Sequence, residues 1–266
     1  MTRVLSGIVL IVLAVAAVWL SPAWLFLVIA ELLIVLACHE FAGLAKASNL
    51  PFPTVVSTLA AGLVCASFAQ AAFGGTARVP LDVALMTAFV TRGAMSLPAW
   101  RGGRDALATA ASAMFPCLYF GLPIGALVAI REAAGPQGLF LLMLTVMVSD
   151  SAQYYTGRAF GRRKLAEIIS PKKTIEGAYG GFVFGAIVLA VVGQWWLPTV
   201  PVVLRLLLGA TIVGLGIAGD LFESMLKRSA GVKDSSSLIP GHGGVLDRID
   251  ALLFAAPVYY VVLKYV

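Results

Sequence analysis

Apolar stretches long enough to cross a bilayer follow one another along almost the whole chain: 4–20, 22–38, 54–73, 79–97, 109–130, 138–157, 177–197, 204–226 and 245–266. Each approaches the twenty or so residues that a helix needs to span about 30 Å of hydrocarbon. In that medium a backbone finds hydrogen-bond partners only within its own helix or in a closed barrel. The runs are continuous rather than alternating in polarity, which selects helices over barrel strands. The expected fold is all-α: a polytopic integral membrane bundle of about nine transmembrane helices. The 79–97 stretch fits least well, since it carries Arg92 and is less apolar, so it spans or lies partly in the interface.

Composition agrees. The chain is 60% hydrophobic and 12% charged, whereas soluble domains are nearer half apolar and a quarter charged. Its formal net charge of +6 points to no nucleic-acid partner, because cytoplasmic loops of membrane proteins collect Lys and Arg. Cys38, Cys65 and Cys117 stand singly among apolar neighbours. They show neither metal-ligand spacing nor a disulfide framework and are read as small core residues. The first run, behind Arg3, resembles a signal peptide with Ala14-Val15-Ala16 as its cleavage site. Apolar character that continues through Val18-Trp19-Leu20 into a second run favours an uncleaved helix. Glu31 lies inside that second run. An intramembrane carboxylate is a functional candidate, but a polar seam between helices is the preferred reading. No fixed-period repeat, low-complexity tract or extramembrane domain is visible.

The few charged residues are not scattered. Asp220, Glu223, Ser224 and Lys227 fall at i, i+3, i+4 and i+7, so a helix presents all four on one face. Arg228, Lys233 and Asp234 follow, then the turn Gly241-His242-Gly243-Gly244, then Asp247, Arg248 and Asp250 in the expected first turn of the last helix. Upstream, Asp150, Gln153, Tyr154 and Gly157 repeat the same spacing. They lead into Arg158, Arg162, Arg163 and Lys164, and then Ser170-Pro171-Lys172-Lys173-Thr174, where Ser170-Pro171 reads as a helix start. Two spans separate the two basic loops, which puts them on one face of the membrane, and the positive-inside rule makes it cytoplasmic. Carboxylates, lysines, arginines and a Gly-rich turn are the parts that hold a polyphosphate and its divalent metal. Paired lysines before a helix N-terminus suit phosphate, although for that segment taken alone an ordinary positive-inside loop is the preferred reading. His242 is more often a satisfied loop side chain than a ligand.

Ser224-x-x-Lys227-Arg228-x4-Lys233-Asp234-x5-Pro240-x-His242-Gly243-Gly244-x-x-Asp247-Arg248-x-Asp250 closely resembles the signature of phosphatidate cytidylyltransferases, also called CDP-diacylglycerol synthases, over 27 residues. Asp150, Tyr154, Gly157-Arg158, Gly161 and Ser170 to Gly177 resemble further segments of that family, so the likeness covers roughly the C-terminal half. Gln153 departs from it, standing where a small residue is expected.

The resemblance implies transfer of CMP from CTP to phosphatidate, giving CDP-diacylglycerol and pyrophosphate. It implies Mg²⁺ held by Asp220 and Asp247, with Asp150 or Asp250 nearby, and leaves room for a second metal or a monovalent cation such as K⁺. Asp220, Asp247, Lys227 and Arg228 form the implied catalytic group. Lys172, Lys173, Lys233, Asp234, His242, Gly243, Gly244, Arg248, Ser224 and Tyr154 would line the substrates, the glycine turn supplying backbone N–H groups. Residues 1–135 become a scaffold of transmembrane helices with dimer contacts. Residues 136–266 become the catalytic region, with cytoplasmic loops 158–176 and 227–247. A homodimer in a bacterial inner membrane, with its site on the cytoplasmic side, completes the expectation. Two other functions compete: a CTP-dependent lipid-alcohol kinase of polyprenol or phytol type, and a transporter. Against transport, the charges cluster at one face rather than at the midplane.

Overall fold

The computed structural model describes residues 2–74, 79–103, 106–239, 241 and 243–266. Helices dominate it: α1 (Thr2–Leu20), α2 (Ala23–Ala47), α3 (Thr54–Ala66), α4 (Leu81–Ala99), α5 (Ala106–Pro116), α6 (Leu122–Phe160), α7 (Ile175–Trp196), α8 (Val202–Ser229) and α9 (Leu246–Tyr265). Four helical segments among the described residues are long and apolar enough to cross a membrane: Ala23–Ala47, Ala106–Phe160, Ile175–Trp196 and Val202–Ser229. The chain is thus a helical integral membrane protein, but these criteria leave the expected count of nine spans unestablished.

Proline and glycine decide where the helices change course. Pro116 cannot donate to the helical ladder, and the next turn, Cys117–Gly121, widens to a π-helix before α6 begins. A straight α6 of 39 residues would be about 58 Å long, nearly twice the hydrocarbon thickness. It breaks instead at Gly135, which takes φ 69° ahead of Pro136. The second half of α6 packs against α7, α8 and α9, and the shared core includes Leu141, Leu142, Leu189, Ile212 and Leu246. Tyr259 of α9 is fully buried there and donates its hydroxyl to Gly138 O at 3.1 Å. Cys38, Cys65 and Cys117 are free and buried. Glu31 lies against Gly62 of α3, its Oε1 buried without a hydrogen bond.

The loop after α6 contains a small antiparallel hairpin, β1 (Lys164–Ala166) and β2 (Ser170–Thr174). Ser170-Pro171 therefore opens a strand rather than a helix. The helix waits for Thr174, whose hydroxyl caps α7 by accepting from Gly177 N at 3.1 Å. Glu176 folds back over the hairpin base and accepts from the backbone N–H of Arg162 and Arg163, at 2.9 and 3.2 Å. A short strand pair ending in a capped helix holds Lys173 at a fixed height beside α8.

Candidate active site

The carboxylates of α8 sit at the end of a long apolar helix, where each needs a cation or donors to offset lost hydration. The four-residue face expected from the spacing forms. Ser224 Oγ lies 3.4 Å from Asp220 Oδ1, and Lys227 pairs with Glu223 one turn away. Lys227 also pairs with Asp247 of α9, so one buried ammonium bridges two helices. Close approach makes this reach short: a Cβ at Gly219 would stand 2.5 Å from Asp250 O, so only glycine lets α8 touch the α9 backbone there.

Lys173 brings the other basic loop to the same place. Its Nζ stands 2.6 Å from Asp220 Oδ2, with both side chains partly open to solvent. Lys172, its neighbour along β2, is exposed, as expected where successive strand side chains alternate faces. On α6, Asp150 accepts from Gln153 Nε2 at 3.0 Å, so the residue that departs from the family pattern holds the Asp150 carboxylate. Asp150 lies within electrostatic reach of Lys173, Asp220 and Arg248. Asp250 lies within reach of Asp220, Glu223 and Asp150. Tyr154 is exposed and rests edge-on against Tyr155. Arg228 braces the chain, donating to Val232 O at 2.9 Å and lying 3.4 Å from Ile169 O at the hairpin. Lys233, Asp234 and Arg248 are exposed. His242 lies outside the described residues.

Asp247 is held differently. Its Oδ2 accepts from Gly244 N at 2.8 Å, Ser235 N at 3.1 Å and Ser235 Oγ at 2.8 Å, and its Oδ1 from Lys227. The Gly244 N–H is therefore spent inside the protein. Beside it stands a carboxylate that the spacing argument did not select. Glu40, near the end of α2 and only 3% exposed, accepts from Val245 N and Leu246 N, both at 2.8 Å. It also accepts from Ser235 Oγ at 2.9 Å and Ser236 Oγ at 2.7 Å. The signal for it was the one that marked Asp220: an acid closing an apolar run.

Five carboxylates (Asp150, Asp220, Glu223, Asp247 and Asp250) thus gather around three cations, Lys173, Lys227 and Arg248. That excess of negative charge suits a divalent cation, as does a buried Glu223 Oε1 with no hydrogen bond. Among the described residues no three acidic, histidine or cysteine side chains converge closely enough to hold an ion by themselves. The fit is one of charge and donor chemistry. A carboxylate has about four acceptor directions, so Asp247 Oδ1 keeps one open beyond Lys227.

The whole chain, residues 1–266, matches the model of the cytidylyltransferase family. A protein of Helicobacter pylori strain J99 named phosphatidate cytidylyltransferase is 32% identical over 264 residues, covering 99% of this chain and 92% of its own. A Haemophilus influenzae protein of the same name is 48% identical over 130 residues, or 46% of this chain and 45% of that one. An Escherichia coli protein named uncharacterized protein YnbB is 45% identical over 128 residues, 48% and 42% of the two chains. In these two matches of higher identity the chain spans about half the length of the relative.

Proposed function

The chain belongs to the cytidylyltransferase family, and from that premise we propose that it is a phosphatidate cytidylyltransferase. A phosphate oxygen of phosphatidate forms a bond to the α-phosphorus of CTP. The bond from that phosphorus to the oxygen bridging to the β-phosphate breaks, pyrophosphate leaves, and CDP-diacylglycerol remains in the bilayer. The observation that carries the reading is the convergence of both basic loops on one open acidic site, through the Lys173–Asp220 pair. The names of the relatives supply the substrates.

The nucleophile is already an anion at neutral pH, so the site needs no strong base. What it must do is bring two polyanions together, which fixed cations accomplish. Lys173 at Asp220 and the exposed Lys172, Lys233 and Arg248 would hold the phosphates. Arg228 ties the end of α8 to the hairpin, and the N–H groups of Gly241 and Gly243 are the turn's candidates for a phosphate oxygen. Lys227 keeps Glu223 and Asp247 in register. Asp220, Asp150, Asp250 and Asp247 Oδ1 would hold Mg²⁺, which when bound supplies neutralisation of the triphosphate.

Finer expectations join the proposal. About nine of the apolar stretches cross the membrane, with 79–97 spanning it or lying partly in the interface, a count supported by helices at each stretch. The site faces the cytoplasm of a bacterial inner membrane, supported by the basic loops and the bacterial relatives. The homodimer has its support in the family resemblance alone. Cysteines placed at the exposed Ile168 and Ser237, in a chain lacking the native thiols, should resist an impermeant maleimide in intact cells and react once the membrane is opened. Labelling of both in intact cells would reverse the orientation.

Parallel assays with α- and γ-labelled CTP test the reaction. With Mg²⁺ and phosphatidate, α-label should enter the lipid and γ-label should leave in pyrophosphate. γ-Label in lipid would make the protein a kinase, and label in neither would end the transferase reading.

A further inference from the structure

A carboxylate buried among helices is costly unless its oxygens are filled with donors, and Glu40 has four of them. Two are backbone N–H groups at the start of α9, at Val245 and Leu246, where the helix has no side-chain cap of its own. The first turn of a helix leaves such groups without partners and carries positive potential. An acid arriving from another helix satisfies both needs. The other two donors, the hydroxyls of Ser235 and Ser236, fasten the loop before the turn. Gly244 lies so close that a Cβ there would collide with both Glu40 oxygens and with the Ser235 hydroxyl.

Ser235 connects this clamp to the chemistry. Its Oγ is 2.9 Å from Glu40 Oε2 and 2.8 Å from Asp247 Oδ2. The hydroxyl has a single proton, so the two carboxylates share it, and displacement of either is felt by the other. We propose that Glu40 is a positioning residue for the transfer reaction. From the first half of the chain, it fixes where Asp247 stands by clamping Ser235 and Ser236 to Val245 and Leu246 at the N-terminus of α9. The inference rests on the assignment of Asp247 to the CMP-transfer site.

The test uses full-length protein purified in detergent, with Glu40→Gln as the main variant. Gln keeps the shape but turns one acceptor into an NH₂ group facing donors. Turnover should fall about 30-fold, because a displacement of about 1 Å at a reacting geometry costs on that scale. KM for CTP and for phosphatidate should stay within about threefold, since Glu40 is buried and its oxygens are taken by protein donors. Backbone amides of 235–239 and 243–247 should exchange with deuterium at least about tenfold faster, while His39→Ala, exposed on the same helix, changes neither readout. In a Ser235→Ala background the Glu40→Gln penalty should shrink, because the shared path is already cut.

Faster exchange with unchanged turnover overturns the proposal, leaving Glu40 a stabilising cap alone. An undiminished penalty in the Ser235→Ala background also overturns it. Should Glu40→Gln fail to accumulate, Ser236→Ala removes one donor to Oε1 and should reproduce both effects several-fold more weakly. Normal exchange and turnover in that variant would end the idea. Wild-type protein that makes no CDP-lipid while Glu40→Gln still exchanges faster would overturn the transferase reading and leave the α2–α9 clamp standing.

Discussion

Asp220 and Asp247 are alike in type, one in the last third of α8 and the other where α9 begins, yet they are held in opposite ways. Asp220 has a lysine from a hairpin at 2.6 Å, a distant hydroxyl at 3.4 Å and an opening to solvent. Asp247 has three donors on one oxygen, a buried lysine on the other, and a side chain that is 7% exposed. An acid with one lysine and an opening can exchange partners for an incoming ligand, whereas one held by donors on both oxygens, with a single direction left on Oδ1, can set geometry. The site thus divides into a soft half around Asp220 and Lys173 and a stiff half around Asp247, Lys227, Glu223 and Glu40. In a reaction that needs charge placed in advance, the stiff half keeps the soft half aligned.

The largest effect is expected at the centre of the stiff half. Lys227→Met keeps the stem but strands Glu223 and Asp247 as unpaired buried acids. Removing one partner of a buried pair costs about 3–5 kcal/mol, so the thermal midpoint in detergent should drop markedly. Turnover should fall at least about 100-fold with the lost electrostatic arrangement. An unchanged midpoint would show that the pair is not held as tightly as its burial indicates, and the stiff half would lose its meaning.

Asp220→Asn should separate the two properties. Turnover should again fall at least about 100-fold, because Asn lacks the charge that a hard cation or a lysine needs. Stability should change by no more than about 1 kcal/mol, the scale of a solvent-exposed ion pair. Assay of CMP transfer beside a melting curve reads both. A fall in midpoint as deep as that of Lys227→Met would place Asp220 in the structural frame and erase the contrast.

Part of each half was legible in the sequence, since helical spacing alone puts Asp220 and Ser224 on one face with Glu223 and Lys227. Glu40 and Ser235 were not, because they join the site by tertiary contact across most of the chain, and no period in a sequence encodes such a contact. The hairpin escaped for a local reason: Lys164–Ala166 is too short to show alternation, and Ser170-Pro171 opens a strand as readily as a helix. The apolar runs foretold a helical membrane protein because a bilayer permits the backbone little else. Their lengths left the number of spans open, since Pro116 and Gly135 bend rather than simply end the helices.

The smallest effect should come from the two serines, and it ranks the two halves directly. Ser235 Oγ lies 2.8 Å from Asp247 and 2.9 Å from Glu40, within the usual range for a hydroxyl on a charged acceptor. Such bonds are worth about 1.5–3 kcal/mol, so Ser235→Ala should reduce turnover between about tenfold and a hundredfold. Ser224 Oγ stands 3.4 Å from Asp220 Oδ1, beyond the range at which an O–H···O bond contributes much. Ser224→Ala should therefore cost under about threefold in turnover, with the midpoint nearly unmoved. Steady-state kinetics on both variants, prepared side by side, decide the order. Equal losses would mean that Ser224 meets the substrate itself rather than merely leaning on Asp220. The soft half would then carry its own fixed contact, and stiffness would no longer distinguish the two aspartates.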